Sequence, residues 1–253
     1  MARDLKEAAS QFSAVYPVMD NAELRKKRGL KIASILREAL GGRRADLILD
    51  VGCSNALVLD TVATQLNPRF AVGIDMDAAV APAPTRERVV VVGDAMALPL
   101  APECVDVVIC NHTYEHVPDP ERLFAEIGRV LKPGGIVYFS AMNARWPMEP
   151  HYHLPFIHWL PAELSARVLR HYRYSSGYLE KPLSTPALRK LVSAFELQDY
   201  TIRVIAQSQK YHAEDLIRLP WLGGVYELLA RVFYGILPGY LWILTKPCQS
   251  RAG

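Results

Sequence analysis

Ile48-Leu49-Asp50-Val51-Gly52-Cys53-Ser54-Asn55-Ala56 runs an apolar strand into an acid and then into a tight turn of small residues. Small residues there let backbone N–H groups and the following helix N-terminus come close to a ligand, which is how open α/β sheets hold nucleotide-like molecules. The same strand-then-acid pattern returns at Ala71-Val72-Gly73-Ile74-Asp75 and at Val89-Val90-Val91-Val92-Gly93-Asp94. Three acids at three strand ends outline one pocket.

On either side of this turn the chain alternates. Strands are expected at Asp46–Val51, Phe70–Asp75, Arg88–Val92, Val105–Cys110 and Gly135–Ser140, with helix-length segments such as Pro120–Leu131 between them. The alternation predicts an α/β fold, a doubly wound and mostly parallel sheet covered on both faces. Before it, Leu24, Leu30, Ile32, Ile35, Leu36 and Leu40 follow helical periodicity over about residues 22–40, and Gly41-Gly42 stops the helix.

Composition narrows the class. With 253 residues, 51% apolar and 22% charged, the chain has the balance of a folded globular protein. A net charge of +3 gives no reason to expect nucleic acid, although Arg25-Lys26-Lys27-Arg28 and Lys31 gather positive charge on what reads as a solvated helix face. Cys53, Cys104, Cys110 and Cys248 form no C-x-x-C pair and no closely spaced framework, so neither a zinc site nor a disulfide scaffold is expected. The N-terminus lacks the apolar core of a secretion signal, and a cytoplasmic location is the expectation.

Residues 146–187 break the alternation with six prolines and four of the seven histidines, and read as an irregular lid or acceptor-binding element. Beyond it, Pro186–Ala194 reads as a helix with proline at its start and Leu197–Gln207 as a strand. From Leu219 to Thr245 only Glu227 and Arg231 interrupt a mostly apolar stretch. Pro220, Pro238 and the two charges argue against a single membrane span, which needs about 20 apolar residues. The expectation is a helix at Val225–Ile236 and a closing strand at Tyr240–Thr245. The apolar 216–238 region, with Trp221, Phe233 and Tyr234 as interfacial anchors, then either touches a membrane surface, caps the sheet or makes a homodimer contact.

The order of motifs resembles the class I S-adenosylmethionine-dependent methyltransferases over about residues 46–142 and the closing strand. The resemblance rests on Leu49-Asp50-Val51-Gly52-Cys53, Gly73-Ile74-Asp75, Gly93-Asp94-Ala95 with Leu98-Pro99, Val105–Asn111, Glu115-His116-Val117-Pro118-Asp119-Pro120 and Leu131-Lys132-Pro133-Gly134-Gly135. It implies a Rossmann-like, seven-stranded sheet with an antiparallel closing strand. Four segments follow within one domain: N-terminal cap helices at 1–45, the cofactor-binding core at 46–145, the lid at 146–190, and the final strands with an apolar helical insertion at 191–253. The implied cofactor is S-adenosyl-L-methionine. By resemblance Asp75 is the acid that accepts from the ribose hydroxyls, a role suited to an acceptor-only carboxylate. Asp94 and the Ala95 N–H read the adenine edge, Met76 packs on its ring, and Asp50, Gly52, Ser54 and Asn111 line the rest. The family turn is Gly-x-Gly-x-Gly, whereas Ser54 and Ala56 stand at its second and third glycines.

Transfer of a methyl group from a sulfonium is an in-line displacement in which positioning does much of the work, and a base is needed chiefly when the acceptor is a hydroxyl. His112, just past the fourth strand, is the first candidate base, with His151 and His153 in the lid behind it. His112-Thr113-Tyr114-Glu115-His116 also fits H-x-x-E-H, but that zinc-peptidase pattern needs a continuous helix and this stretch begins at a strand end. The stretch is similar to ubiquinone-pathway O-methyltransferases, in which Glu-x-x-Glu-His binds a divalent metal. With His112 in place of the first glutamate, no metal is expected and Glu115 and His116 fix the loop by hydrogen bonds. The expected activity is O-methylation of a small-molecule, glycan or lipid-linked acceptor, with N-methylation or a non-catalytic partner subunit as rivals.

Overall fold

β-Branched and apolar runs flanked by turns give seven strands: β1 (Leu47–Val51), β2 (Phe70–Asp75), β3 (Arg88–Val92), β4 (Val105–Asn111), β5 (Leu131–Met142), β6 (Glu196–Asp199) and β7 (Gly239–Thr245). The computed structural model describes residues 21–77, 88–149, 152–172, 180–214 and 222–248. The expectations placed on residues 1–20, His151, Pro220 and Trp221 lie outside them. The strands form one sheet in the order β3-β2-β1-β4-β5-β7-β6. Pairs from β3 to β5 are parallel, and β7 runs antiparallel to both β5 and β6. This is the Rossmann-like architecture the motifs imply.

Burial on both faces explains the apolar runs. Leu49, Val51, Val108, Cys110, Val137 and Phe139 belong to one core cluster, while Ile48, Val107, Ile109, Ile136 and Tyr138 belong to another, so alternate residues of β1, β4 and β5 feed opposite faces. Helices α1 (Ala22–Leu40), α2 (Leu57–Leu66) and α3 (Pro120–Val130) cover them. Asn21 caps α1 by accepting from the Glu23 and Leu24 N–H groups, and Asp119 caps α3 through the Arg122 N–H. α1 leads back into β1, so its basic first turns lie at the carboxyl edge of the strands, where the charge of Arg25 acts on Asp50.

Three later elements differ from the sequence reading. β5 starts at Leu131, four residues before the expected Gly135, because Leu131 pairs with Val105 ahead of an irregularity in register. The helix expected at Pro186–Ala194 is α5 (Thr185–Leu191), after α4 (Ala162–His171) of the lid. The strand expected at Leu197–Gln207 is corrected: it ends at Asp199, and Thr201–Ala206 is a helix, α6. Asp199 Oδ1 accepts from the Thr201 N–H at 2.8 Å and Thr201 Oγ1 accepts from the Leu241 N–H at 3.0 Å. That side-chain turn redirects a β-branched run that local preference alone would extend.

The apolar insertion forms α7 (Gly223–Val232) and a 3₁₀ turn at Tyr234–Ile236, both just before β7. Buried Asn143, one residue past β5, joins it to the lid: its Nδ2 donates to the Gly235 and Leu237 carbonyls and to the Tyr240 hydroxyl at 2.9–3.1 Å. The lid has its own small core of Tyr152, Ile157 and Leu169. The indole of Trp159 donates to the Ala144 carbonyl at 2.7 Å.

Candidate functional site

Four strand ends converge where the parallel strands finish: β1 with Asp50, β2 with Asp75, the turn after β3 with Asp94, and β4 with Asn111. Gly52 opens the first turn at φ 75°, and a Cβ on it would lie 2.9 Å from the Thr113 side chain. Thr113 Oγ1 in turn donates to the Val51 carbonyl at 2.8 Å. Glycine is therefore required twice at position 52, by conformation and by the hydroxyl that packs over it. Thr113 carried no sequence signal, since the contact joins two turns far apart in the chain.

Ser54 and Ala56, the two residues at glycine positions, hold φ of 49° and 57°. The loop keeps a left-handed path although neither residue favours it, a conformation that costs L-residues roughly 1–2 kcal/mol. Its N–H groups are satisfied locally: Gly52 donates to the Ile74 carbonyl, and Ser54 donates to Asp75 Oδ2, each at 2.7 Å. Ser54→Gly is therefore expected to raise stability by about 1 kcal/mol in chemical denaturation. Ala56→Gly is expected to be near neutral, since relief of strain there is offset by loss of a fully buried methyl.

Asp75 holds the loop and the next turn together, accepting from the Asp77 N–H at Oδ1 at 2.9 Å. Each oxygen has one of its two lone pairs so engaged, and the carboxylate is half-buried at the strand end. Met76 beside it is half-buried. Asp94 accepts from the Met96 N–H at 2.8 Å, and Ala95 lies half-buried in that same turn. These acids stand at neighbouring strand ends, beside a turn whose backbone comes close to solvent at exposed Gly52.

Asp50 is 3% exposed. Burial, together with the nearby charge of Asp75, raises its carboxyl from an ordinary 3.8 to about 7. A carboxyl raised in the folded state keeps its proton while the unfolded chain loses it. Its contribution to stability is therefore whole below about pH 4, falls as pH rises toward about 7, and is flat above. Asp50→Asn removes that slope, so the variant is expected to gain on the wild type at pH 8 and not at pH 4 when urea midpoints are compared. Burial also raises the thiols of Cys53 and Cys110, which are therefore inert packing groups.

His112 follows Asn111 at φ 55°, a conformation that turns its ring back over the end of the sheet. Nδ1 lies 3.1 Å from Glu115 Oε1 and Nε2 lies 3.0 Å from Ser140 Oγ on β5. A carboxylate only accepts, so the network assigns the proton to Nδ1 and leaves Nε2 as the acceptor, filled by the serine hydroxyl. Glu115 is 1% exposed, and its Oε2 has no hydrogen-bond partner among the described residues. Burial pushes this carboxyl up, but the hydrogen bond from His112 and the electrostatic attraction of the His112 and His116 rings outweigh it and hold it below the ordinary range. The ring itself stays accessible, with 40% of the side chain exposed.

The sequence-derived residues thus fall into groups. Asp50, Gly52, Ser54, Asp75, Met76, Asp94, Ala95, Asn111 and His112 share the carboxyl edge of the sheet. His153 sits at φ 53° on an exposed turn of the lid, and His151 lies outside the described residues. Ser140 was missed. Its signal is a small hydroxyl ending the apolar run of β5 in register with Asn111, visible only once the strands are paired. Among the described residues no group of three His, Cys, Asp or Glu side chains is placed to hold a metal ion.

Residues 49–139 match a protein family described as a methyltransferase domain. The ubiquinone biosynthesis O-methyltransferase of Pseudomonas putida (strain GB-1) is 36% identical over 116 residues, which are 42% of this chain and 47% of that one. The chain spans about half the length of the curated relatives it matches. Among solved structures, an S-adenosylmethionine-dependent methyltransferase from Methanosarcina mazei is similar with a TM-score of 0.52 at 17% identity, over 85% of this chain and 98% of that one. The [4+2]-cyclase SpnF is similar with a TM-score of 0.52 at 19% identity, over 87% of this chain and 81% of that one. These two likenesses concern the fold.

Proposed function

We propose that this chain, whose residues 49–139 match a methyltransferase domain, is a class I S-adenosylmethionine-dependent methyltransferase that transfers the methyl group of that cofactor to a hydroxyl oxygen with His112 as general base. The observation that carries the reading is the hydrogen-bonded row Glu115–His112–Ser140 at the edge of the cofactor cradle. Bound S-adenosylmethionine supplies an electrophilic methyl on a positively charged sulfur. Asp75 accepts from the ribose hydroxyls, the Asp94–Ala95 turn reads adenine with Met76 against the ring, and Asp50, Gly52, Ser54 and Asn111 surround the methionine end.

Glu115 fixes the His112 tautomer and steadies the imidazolium that forms. The acceptor hydroxyl displaces Ser140 Oγ from Nε2, and its proton passes to Nε2 as its oxygen takes the methyl group. The products are a methyl ether or ester, S-adenosylhomocysteine and one proton. The relatives named as ubiquinone biosynthesis O-methyltransferases support oxygen over nitrogen as the acceptor atom. The acceptor is a small molecule, glycan or lipid-linked compound that enters beneath the lid.

Incubation of the protein with methyl-labelled cofactor and a panel of phenols, sugar alcohols, carboxylic acids and amines tests this reading. Label is expected in hydroxyl compounds. Label confined to amines, at a rate indifferent to His112, would select the N-methyltransferase alternative.

A further inference from the structure

α7 turns its apolar side outward. Val225, Leu228, Leu229, Val232, Phe233 and Ile236 follow one another at helical spacing and are 45–68% exposed, while Ala230 is the only residue of α7 that is buried. A helix that merely capped the sheet would bury this stripe. A second apolar projection, Phe156 and Trp159 with ring centroids 5.0 Å apart, stands on the lid with both residues about half exposed. Both projections hang from one short segment: Asn143 binds the Gly235 and Leu237 carbonyls, and Ala144 accepts from the Trp159 indole.

That segment leaves the carboxyl end of β5, where Met142 pairs with Gly239. The apolar projections therefore crown the edge of the sheet that carries His112 and the cofactor acids. Exposed cations lie beside them and on other elements of this edge. The guanidinium of exposed Arg145 comes within 4.0 Å of where a Gly235 side chain would be. Arg167 and Arg170 on α4 and Lys26 and Lys27 on the first turns of α1 are exposed on elements at this edge, against exposed Glu23 and Glu163. Arg231 is held by Glu227 within α7 at 2.8 Å.

We propose that α7, its 3₁₀ turn and the Phe156–Trp159 pair form a docking surface for an anionic phospholipid bilayer, which presents a membrane-borne acceptor to the His112 edge. Two aromatic and aliphatic projections with Arg145 beside them and exposed arginine and lysine on neighbouring elements match the interface of an anionic leaflet, where apolar side chains enter the acyl boundary and each nearby cation adds attraction. A second copy of the chain would set this basic rim against itself. Among the described residues no helix is long and apolar enough to cross a membrane, so the contact lies at the surface. The acceptor's route rests on the methyl-transfer reading; the docking itself does not.

Sedimentation of the intact protein with vesicles tests it. Wild type is expected to pellet with vesicles of equimolar phosphatidylglycerol and phosphatidylcholine, and less with phosphatidylcholine alone or in high salt. Leu228→Asp/Val232→Asp is expected to weaken vesicle binding by about tenfold or more with unchanged circular dichroism and cofactor affinity. Arg145→Glu, a gentler change, is expected to weaken binding to the anionic vesicles only. Wild type left in the supernatant overturns the proposal, as does a dimer in analytical ultracentrifugation that the double substitution dissociates. Pelleting without cofactor binding would uphold docking and defeat the methyl-transfer reading; the reverse result would do the opposite.

Discussion

Asp75→Ala is expected to reduce affinity for S-adenosylmethionine by about 100-fold or more. In the proposed complex the carboxylate takes two charge-assisted hydrogen bonds from the ribose, each worth roughly 1.5–3 kcal/mol, and each tenfold in affinity corresponds to about 1.4 kcal/mol. The same side chain accepts from the Ser54 and Asp77 N–H groups, so its removal also loosens the turn against which the cofactor lies. Asp75→Asn keeps an acceptor oxygen without the charge and should fall between. Equilibrium dialysis with labelled cofactor measures both. An alanine variant that binds within about threefold of wild type would move the ribose site elsewhere.

His112→Ala is expected to lower kcat on a hydroxyl acceptor by about 10²–10⁴-fold, the usual contribution of a positioned general base, while leaving cofactor affinity near wild type. Glu115→Gln separates positioning from proton acceptance. It can still meet Nδ1–H through its amide oxygen, yet it no longer carries the charge that steadies the imidazolium. A smaller fall in kcat is expected, with KM little changed and with the base limb of the pH–rate profile displaced relative to wild type. Ser140→Ala frees Nε2 of its resident partner and should preserve or raise the rate. If His112→Ala retains full activity with its pH profile unaltered, the acceptor's proton leaves without this ring.

Much of the carboxyl edge of the sheet was legible in the chain because it obeys local rules. A strand buried on both faces must be apolar, an acid at its end must have a use, and the turn between strand and helix needs small residues. β2 and β3 therefore occupy the expected residues, and the others differ at their ends by a few residues at most, apart from β5, whose early start is a matter of register, and β6. The strand expected at Leu197–Gln207 runs too far because Thr201-Ile202-Arg203-Val204-Ile205 has strand composition, whereas the Asp199 side chain accepts from the Thr201 N–H and turns the chain where the helix begins. The row through His112 was half legible. Glu115 lies one helical turn away and was expected to brace the loop. Ser140, 28 residues on, meets His112 only because β4 and β5 pair. Apolarity marked α7, but which way its stripe faces is decided by packing against α6, and no periodicity reports that.

The altered turn also takes on a definite meaning. Ser54 and Ala56 hold the left-handed path that glycine would adopt freely, so the absence of glycine at these two positions does not close that path to the loop. A cofactor should therefore still fit. Calorimetric titration of the intact protein with S-adenosylmethionine asks this directly. Saturable heat at one cofactor per chain is predicted, whereas a cooperatively folded sample that gives no heat and no rise in Tm with the cofactor would contradict the account.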